Sequence, residues 1–520
     1  MHGTRAVYVS ALSGMGKTAL VERFLDEVRR DAVVLRGRCY ERESVPFKAL
    51  DPIVDAISRH LTSLPPVAAA RVTPRDTPEL CRLFPVLARV GVFADVMRAR
   101  PATPDPQELR RRGFAALCEV LSRLADARPL VVALDDLQWG DLDSGLFFAQ
   151  LLASADSPKL LFIGSYRSDE VNRSPLVRGI LAHKRREGGD LVEVVELGAL
   201  SDQESQELAS QLLPERLSLV PAIANESGGS PLFIGELARF GPGSIDPGAT
   251  TLTAAIAARV EALPDAARNL LEVVAVAGRP IAQRVALKAA SLAFSDEAIA
   301  ILRAAQLLRS SGAHLDRVVE TYHDRIREAV VAGLSKERRT ARHLALAKVY
   351  VAEPEPPVEA LAHHYREAGE REEAREYALR AAERAMQAFA FERAAGFYRD
   401  AGDHQVPLAD ALANAGHALE AAEVYLEAAR AAPEDERVDI ERRAAYELLR
   451  LGHMDRAASL MRDLVKKVDL WMPSHLVVAY VVGLALSYWY AWRGVPLPAR
   501  SRVRRARAPA DRRRPIVLER

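Results

Sequence analysis

The sequence predicts an α/β domain, a parallel sheet with helices on both faces, followed by a long α-helical region. Short apolar runs rich in β-branched residues alternate with amphipathic stretches over the first third of the chain, and alanine-rich helical patterns replace them later. Strands covered on both faces read as continuous apolar runs, whereas half-exposed strands alternate apolar with polar. A length of 520 residues exceeds one hydrophobic core, so about three or four domains are expected. Hydrophobic content of 49% and charged content of 27% are those of a globular chain. The 71 basic and 70 acidic side chains nearly cancel, which removes any global electrostatic case for a nucleic-acid partner.

Ala6–Ser10, Ala32–Leu35, Leu130–Leu134 and Leu160–Gly164 read as strands, each followed by turn residues. Helical patterns cover Ala19–Arg30, Ala49–His60 and Pro106–Ala127. Strand signals fade after about residue 185. Ser201-Asp-Gln-Glu204 is a capping box that starts a helix over Ser201–Leu213. Pro242–Gly248 is rich in helix breakers and reads as a linker. Thr251–Gly278 and Ala282–Ser311 form a compact helical unit, and the more β-like His314–Tyr322 suits a hairpin wing.

From Val358 onward helix pairs repeat a pattern of small residues. Gly369 precedes Ala374, Ala378 and Ala381; Gly416 precedes Ala421, Tyr425, Ala428 and Pro433; Gly452 precedes Ala457, Met461 and Leu464. Small residues at these offsets let antiparallel helices approach closely, as in a degenerate repeat array. An unrepetitive helical bundle is the alternative. His475–Trp492 is apolar and aromatic but shorter than the typical membrane span of about 20 residues, so no membrane partner is expected. Arg500–Arg520 reads as a basic tail. Cys39, Cys81 and Cys118 share no metal-ligand spacing and no signal peptide opens the chain, so a cytoplasmic protein with reduced thiols is expected.

Between the first strand and first helix lies Ala11-Leu-Ser-Gly-Met-Gly-Lys-Thr18, a P-loop pattern. Phosphates need many donors aimed into one small volume, and a glycine-containing loop at a helix N-terminus supplies them. Ser13, Gly14, Met15, Gly16 and Ala19 line that loop with Lys17 and Thr18. Lys17 is expected on the β- and γ-phosphates of ATP, and the Thr18 hydroxyl on Mg²⁺. Ala11 stands where the motif usually begins with glycine. Leu130–Leu134 ends in Asp135-Asp136, and carboxylates at the tip of a buried parallel strand sit where ligands bind. Asp135 is expected to hold a Mg²⁺-bound water, and Asp136 to orient or deprotonate the attacking water. Arg167, just past Leu160–Gly164, is a candidate sensor of the γ-phosphate, with a solvated loop arginine as the alternative. Pro231 in Gly229-Ser230-Pro231 either approaches the nucleotide or only starts a helix.

The phrases SGMGKTALV, LDDLQWGDLDS, GSYRSDE and GGSPLF resemble the signal-transduction ATPases with numerous domains (the STAND class) and the related Orc1-like AAA ATPase module. GRCYERESVPFKALD and TYHDRIREAVVAGLS are similar to the ATPase portion of bacterial serine/threonine kinase–ATPase fusions. The resemblance spans roughly residues 6–465. It implies a P-loop ATP-binding domain (1–185), a helical lid (186–245), a winged-helix-like domain (246–335) and TPR-like repeats (336–470), with an apolar segment and basic tail (471–520). It implies Lys17 and Thr18 at the Walker A positions, Asp135 and Asp136 at the Walker B positions, Arg167 as the sensor and Pro231 as the lid proline. It further implies slow hydrolysis, a switched state held by ATP, a protein partner on the repeats and self-association on ATP binding. Relatives usually carry a Gly-Arg-Glu segment before the P-loop strand that helps hold adenine; this chain begins almost at the strand. No kinase machinery accompanies His323-Asp324-Arg325, so His323–Glu328 is expected to be a structural helix motif. A non-hydrolysing scaffold, and one portion of a kinase–ATPase fusion, are the alternative functions.

Overall fold

The computed structural model describes residues 3–41, 46–99, 103, 105–153, 158–187, 192–240, 252–292, 296–312 and 317–467. They belong to two compact units, one of residues 1–402 and one beginning at Asp403. Pro242–Gly248, His475–Trp492 and Arg500–Arg520 lie outside the described residues. Among those described, no helix is long and apolar enough to cross a membrane.

The first unit opens with a five-stranded parallel sheet: β1 (Arg5–Ala11), β2 (Val33–Arg38), β3 (Leu130–Asp135), β4 (Leu160–Arg167) and β5 (Val192–Glu196). Their order across the sheet is β2-β3-β4-β1-β5, so β4 is central and separates β1 from β3. The four expected strands form, and β3 and β4 are buried almost throughout because helices cover both faces. β4 runs three residues beyond the expected Gly164, which puts Arg167 at the strand tip instead of in a solvated loop. β5 was not expected: Val-Glu-Val-Val-Glu is a short, partly exposed edge strand with a weak signal. Between β2 and β3 three further helices, Pro66–Val72, Thr77–Leu83 and Gly91–Ala99, are too short to show a clear 3.6-residue period. The long helix that follows has the expected bounds, Pro106–Ala127, with Asp105 accepting from the Glu108 N–H as its cap.

After the sheet come helices Asp202–Leu212, Val220–Glu226 and Pro231–Phe240, packed through Ala209, Ile223, Ile234 and Leu237. The expected capping box is present, with Ser201 and Glu204 each bonding the other's backbone N–H. A separate core is built from Leu252–Glu261, Asp265–Ala277, Gln283–Ala289, Asp324–Gly333 and Lys336–Val351. A small antiparallel sheet joins it, formed by β6 (Ile281–Ala282), β7 (Leu308–Ser311) and β8 (Val318–Thr321) in the order β6-β8-β7. Within the β-like stretch 314–322, Val318–Thr321 forms the second strand of a hairpin, and residues 314–316 lie outside the described residues.

Helices Val358–Ala368, Arg371–Gln387 and Phe391–Ala401 complete the first unit, and the second holds Gln405–Ala415, Ala418–Ala431, Glu434–Arg450 and Met454–Lys467. The repeated glycines act as stops. Gly369, Gly416 and Gly452 all have positive φ. After each, the next N–H reaches back five residues: Glu370 to Tyr365, His417 to Leu412 and His453 to Leu448. Ala378, Ala381, Ala382, Ala421, Ala422 and Ala457 are buried, as close approach of neighbouring helices requires.

Asp143, in helix Leu142–Ala153, ties Phe391–Ala401 to the helices packed on the parallel sheet. Its carboxylate accepts from the N–H groups of Glu392 (3.3 Å) and Arg393 (3.2 Å), and Arg110 lies 3.5 Å away. Arg110 also stands over the Phe391 ring, 4.8 Å from its centroid. Burial, reinforced by Asp141, pushes the Asp143 carboxyl up to about 7 against these favourable partners. Because its folded value lies above the unfolded one, its stabilising contribution is full below pH 4 and lost as pH rises through about 7. An Asp143→Asn variant keeps an acceptor but cannot ionise. Its thermal midpoint relative to wild type is expected to rise between pH 5 and pH 8; a constant difference refutes this assignment.

Candidate functional site

At the end of β1 the chain turns through Leu12–Gly16 into helix Lys17–Val28. Gly14 and Gly16 have φ of 87° and 90°, a left-handed backbone that lets successive N–H groups turn inward. Ala11 needs no such freedom: it is an extended residue of β1, paired with Arg167 of β4. Lys17 is 7% exposed, and its ammonium donates to the carbonyls of Ala11 (3.1 Å) and Leu12 (3.0 Å). Burial lowers its pKa, partly offset by Asp136 and Asp135, while Arg167 lowers it further.

The acidic pair meets this loop. Thr18 Oγ1 donates to Asp135 Oδ2 at 2.8 Å, across the tip of β4 that separates their two strands. Ser165 of β4 donates to the other Asp135 oxygen. A hydroxyl and a carboxylate side by side are hard oxygen donors of the kind Mg²⁺ takes, so the residues present fit that ion. Asp136 has φ of 59° and is 8% exposed. Its carboxylate accepts from Arg38 Nε (2.9 Å) and Gln138 Nε2 (3.0 Å), and its N–H donates to Ser165 Oγ.

Arg167 is 4% exposed. Its guanidinium donates to Asp169 (3.0 Å) and to Glu328, while its N–H donates to Gln138 Oε1 (3.1 Å). Glu328 belongs to helix Asp324–Gly333, the one expected to be purely structural. His323 does cap that helix, its Nδ1 accepting from the Arg325 N–H at 3.1 Å. Asp324, Arg327 and Glu328 share one helix face at offsets of three and four. All three reach the region of the parallel sheet: Asp324 to Arg38 (3.5 Å), Arg327 to Glu41 and Glu328 to Arg167. Burial works against both arginine charges, yet Asp136, Asp324 and Asp135 hold the Arg38 pKa above its ordinary value. Asp169 and Glu328 do the same for Arg167. Sequence reasoning missed Arg38, Gln138, Asp324 and Glu328; the Asp324–Glu328 spacing on a capped helix was the one signal available.

Pro231 begins helix Pro231–Phe240 and approaches the P-loop. The Leu232 N–H donates to the Gly14 carbonyl (3.2 Å), and a side chain at Gly14 would meet Leu232 at 3.2 Å. A side chain at Gly16 would stand 4.0 Å from the Pro231 ring. The structure therefore brings together the loop of Ser13–Ala19, Asp135, Asp136, Arg167 and Pro231.

Residues 1–163 match the AAA ATPase domain family. No curated protein matches the chain. Among solved structures, the chain is similar to a Pyrococcus horikoshii signal transduction ATPase with numerous domains (STAND) protein with a tetratricopeptide repeat sensor. That similarity has 14% identity and a TM-score of 0.52, covering 90% of this chain. The chain spans 63% of the length of that protein. Drosophila ORC bound to GC-rich DNA and Cdc6 aligns over 64% of this chain and 86% of its own, at 12% identity and a TM-score of 0.21, too low to carry an argument. The first 163 residues thus match the AAA ATPase domain family, in a chain whose fold is similar to that of a signal-transduction ATPase with numerous domains.

Proposed function

We propose that the chain is an ATP-binding, slowly hydrolysing ATPase that acts as a signalling switch in the cytoplasm. In this reading residues 1–185 bind ATP, 186–245 form the lid, 246–335 a winged-helix-like unit and 336–470 TPR-like repeats that hold a protein partner. One observation carries it: helix Asp324–Gly333 sets Asp324 and Glu328 on Arg38 and Arg167, two arginines of the nucleotide site. Backbone donors of Ser13–Ala19 and the Lys17 ammonium would hold the phosphates, with Pro231 closing the pocket from the lid. Thr18 and Asp135 would hold Mg²⁺, which neutralises phosphate charge when bound. Asp136 would orient the attacking water once Arg38 turns away, and Arg167 would swing from Glu328 toward the γ-phosphate. Nucleotide and helix then compete for the same two cations, which gives the differential contact any switch requires. Self-association with ATP bound follows if release of that helix frees a surface. The buried thiols of Cys39 and Cys81 suit a reducing compartment.

Asp136 also supports a second reading. Its carboxylate is already engaged by Arg38 and Gln138, as suits a scaffold that binds nucleotide without hydrolysing it. The two readings separate in one pair of variants. Lys17→Ala is expected to weaken Mg²⁺-ATP binding by roughly 10- to 100-fold, read by fluorescent-nucleotide titration; equal binding defeats both. Asp136→Asn is expected to keep binding and lose phosphate release, whereas absence of turnover in wild type leaves the scaffold standing.

The latch has its own test. Glu328→Gln removes the carboxylate charge on Arg167, and steady-state turnover is expected to rise by about 5-fold or more. Turnover and nucleotide exchange both unchanged from wild type would remove helix Asp324–Gly333 from the mechanism.

A further inference from the structure

Away from the nucleotide site, three histidines meet where helix Lys336–Val351 packs on helix Val358–Ala368. His343 comes from the first, His363 and His364 from the second, and their ring nitrogens include a set lying within 4.8 Å of one another. His343 Nδ1 and His364 Nδ1 are 2.9 Å apart. Both residues are 2% exposed, and His363 is half-buried. Among the described residues no other trio of histidine, cysteine or carboxylate side chains converges this way.

The surroundings make three imidazoles an unusual choice. Leu346, Ala347 and Leu361 beside them are fully buried and apolar, and a polar ring in such a core is costly unless its nitrogens are satisfied. One shared proton satisfies the two Nδ1 atoms, and Arg366 lies 3.4 Å from the His363 Nδ1, yet neither contact requires three rings to face one another. An ion explains it. Zinc–nitrogen bonds of 2.0–2.1 Å place tetrahedral ligand atoms about 3.3 Å apart. The observed separations, from 2.9 Å to at most 4.8 Å, bracket that value, so small ring rotations would close the site. Tyr350 stacks on His364 with centroids 5.7 Å apart and planes 19° from parallel, and Arg279 lies over Tyr350; together they orient the ring.

A cavity of about 170 Å³ opens beside His363 and His364, with room for a water as fourth ligand. Glu41 and Glu359 also line it, but so do Lys48, Arg279 and Arg393, and Arg393 is paired with Glu359. The cations offset the carboxylates, so the lining does not favour a hard ion such as Mg²⁺. Imidazole nitrogens select borderline ions instead.

We propose that His343, His363 and His364 bind a divalent transition-metal ion of the zinc class, pinning helix Lys336–Val351 to helix Val358–Ala368. The site is independent of nucleotide chemistry.

Cobalt reports directly on such a site. The full-length, untagged protein, stripped with a chelator and held in excess Mg²⁺ to occupy oxygen donors, is titrated with Co²⁺ and then Zn²⁺. One Co²⁺ per chain is expected, with visible d–d absorption that Zn²⁺ displaces and a thermal midpoint raised by zinc. His363→Ala alters a half-buried position and is expected to fold, as far-UV circular dichroism will check; His364→Gln keeps a polar group in the buried one. Each is expected to weaken Co²⁺ binding by at least about 100-fold. Absence of a cobalt spectrum in the wild-type protein, or one unchanged in both variants, overturns the site and leaves a hydrogen-bonded histidine pair.

Discussion

The Thr18–Asp135 hydrogen bond, 2.8 Å across the tip of β4, is the contact on which the candidate nucleotide site depends. It exists because the sheet is parallel: every strand releases its loop at the same edge. It also needs β4 to be narrow where the two neighbours converge. Ser165 fills that gap with a hydroxyl that bonds Asp135, and Gly164 beside it leaves space for Leu137 and Tyr8. Once the loop and the acidic pair are joined, the remaining side chains fall into a dense ring of charge with Lys17 nearly buried inside it.

Such a ring is electrostatically expensive to assemble, because each charge leaves water to enter it. The arginines resolve this by having more than one acidic neighbour. Arg38 lies between Asp136 and Asp324, and Arg167 between Asp169 and Glu328. In each pair one acid lies just past a strand of the sheet, Asp136 after β3 and Asp169 after β4, and the other belongs to a helix more than 150 residues away in sequence. The affinity between the nucleotide domain and the helix Asp324–Gly333 is therefore set by the same charges that define the site. Salt will weaken that docking less than it would a surface pair, since both arginines are largely screened from solvent.

The sheet and the P-loop were legible because both are local. Ala6–Ser10 or Leu130–Leu134 announces a strand within five residues, and Gly14, Gly16 and Lys17 state their chemistry within four. The small helices from Pro66 to Ala99 and the strand Val192–Glu196 were not, since each is too short for its periodicity to rise above composition. Arg38 and Glu328 were illegible for a different reason. Nothing in an isolated Gly-Arg-Cys or Ile-Arg-Glu segment says that a partner waits across the fold; only tertiary packing brings the charges together. His343 and the adjacent His363 and His364 were hidden in the same way, on two separate helices.

Alanine packing between the helices from Val358 to Ala401 has a mechanical consequence. Ala378, Ala381, Ala382, Ala385, Ala394 and Ala395 are all buried, and alanine has no rotamers to exchange. A contact layer rich in alanine has fewer side-chain rearrangements with which to absorb a push than one built of larger residues. Strain applied to Val358–Ala368 or Arg371–Gln387 would therefore be passed on to Phe391, Glu392 and Arg393, where the backbone N–H groups bond Asp143. The helical stack is in that sense a stiff handle fixed to the nucleotide domain.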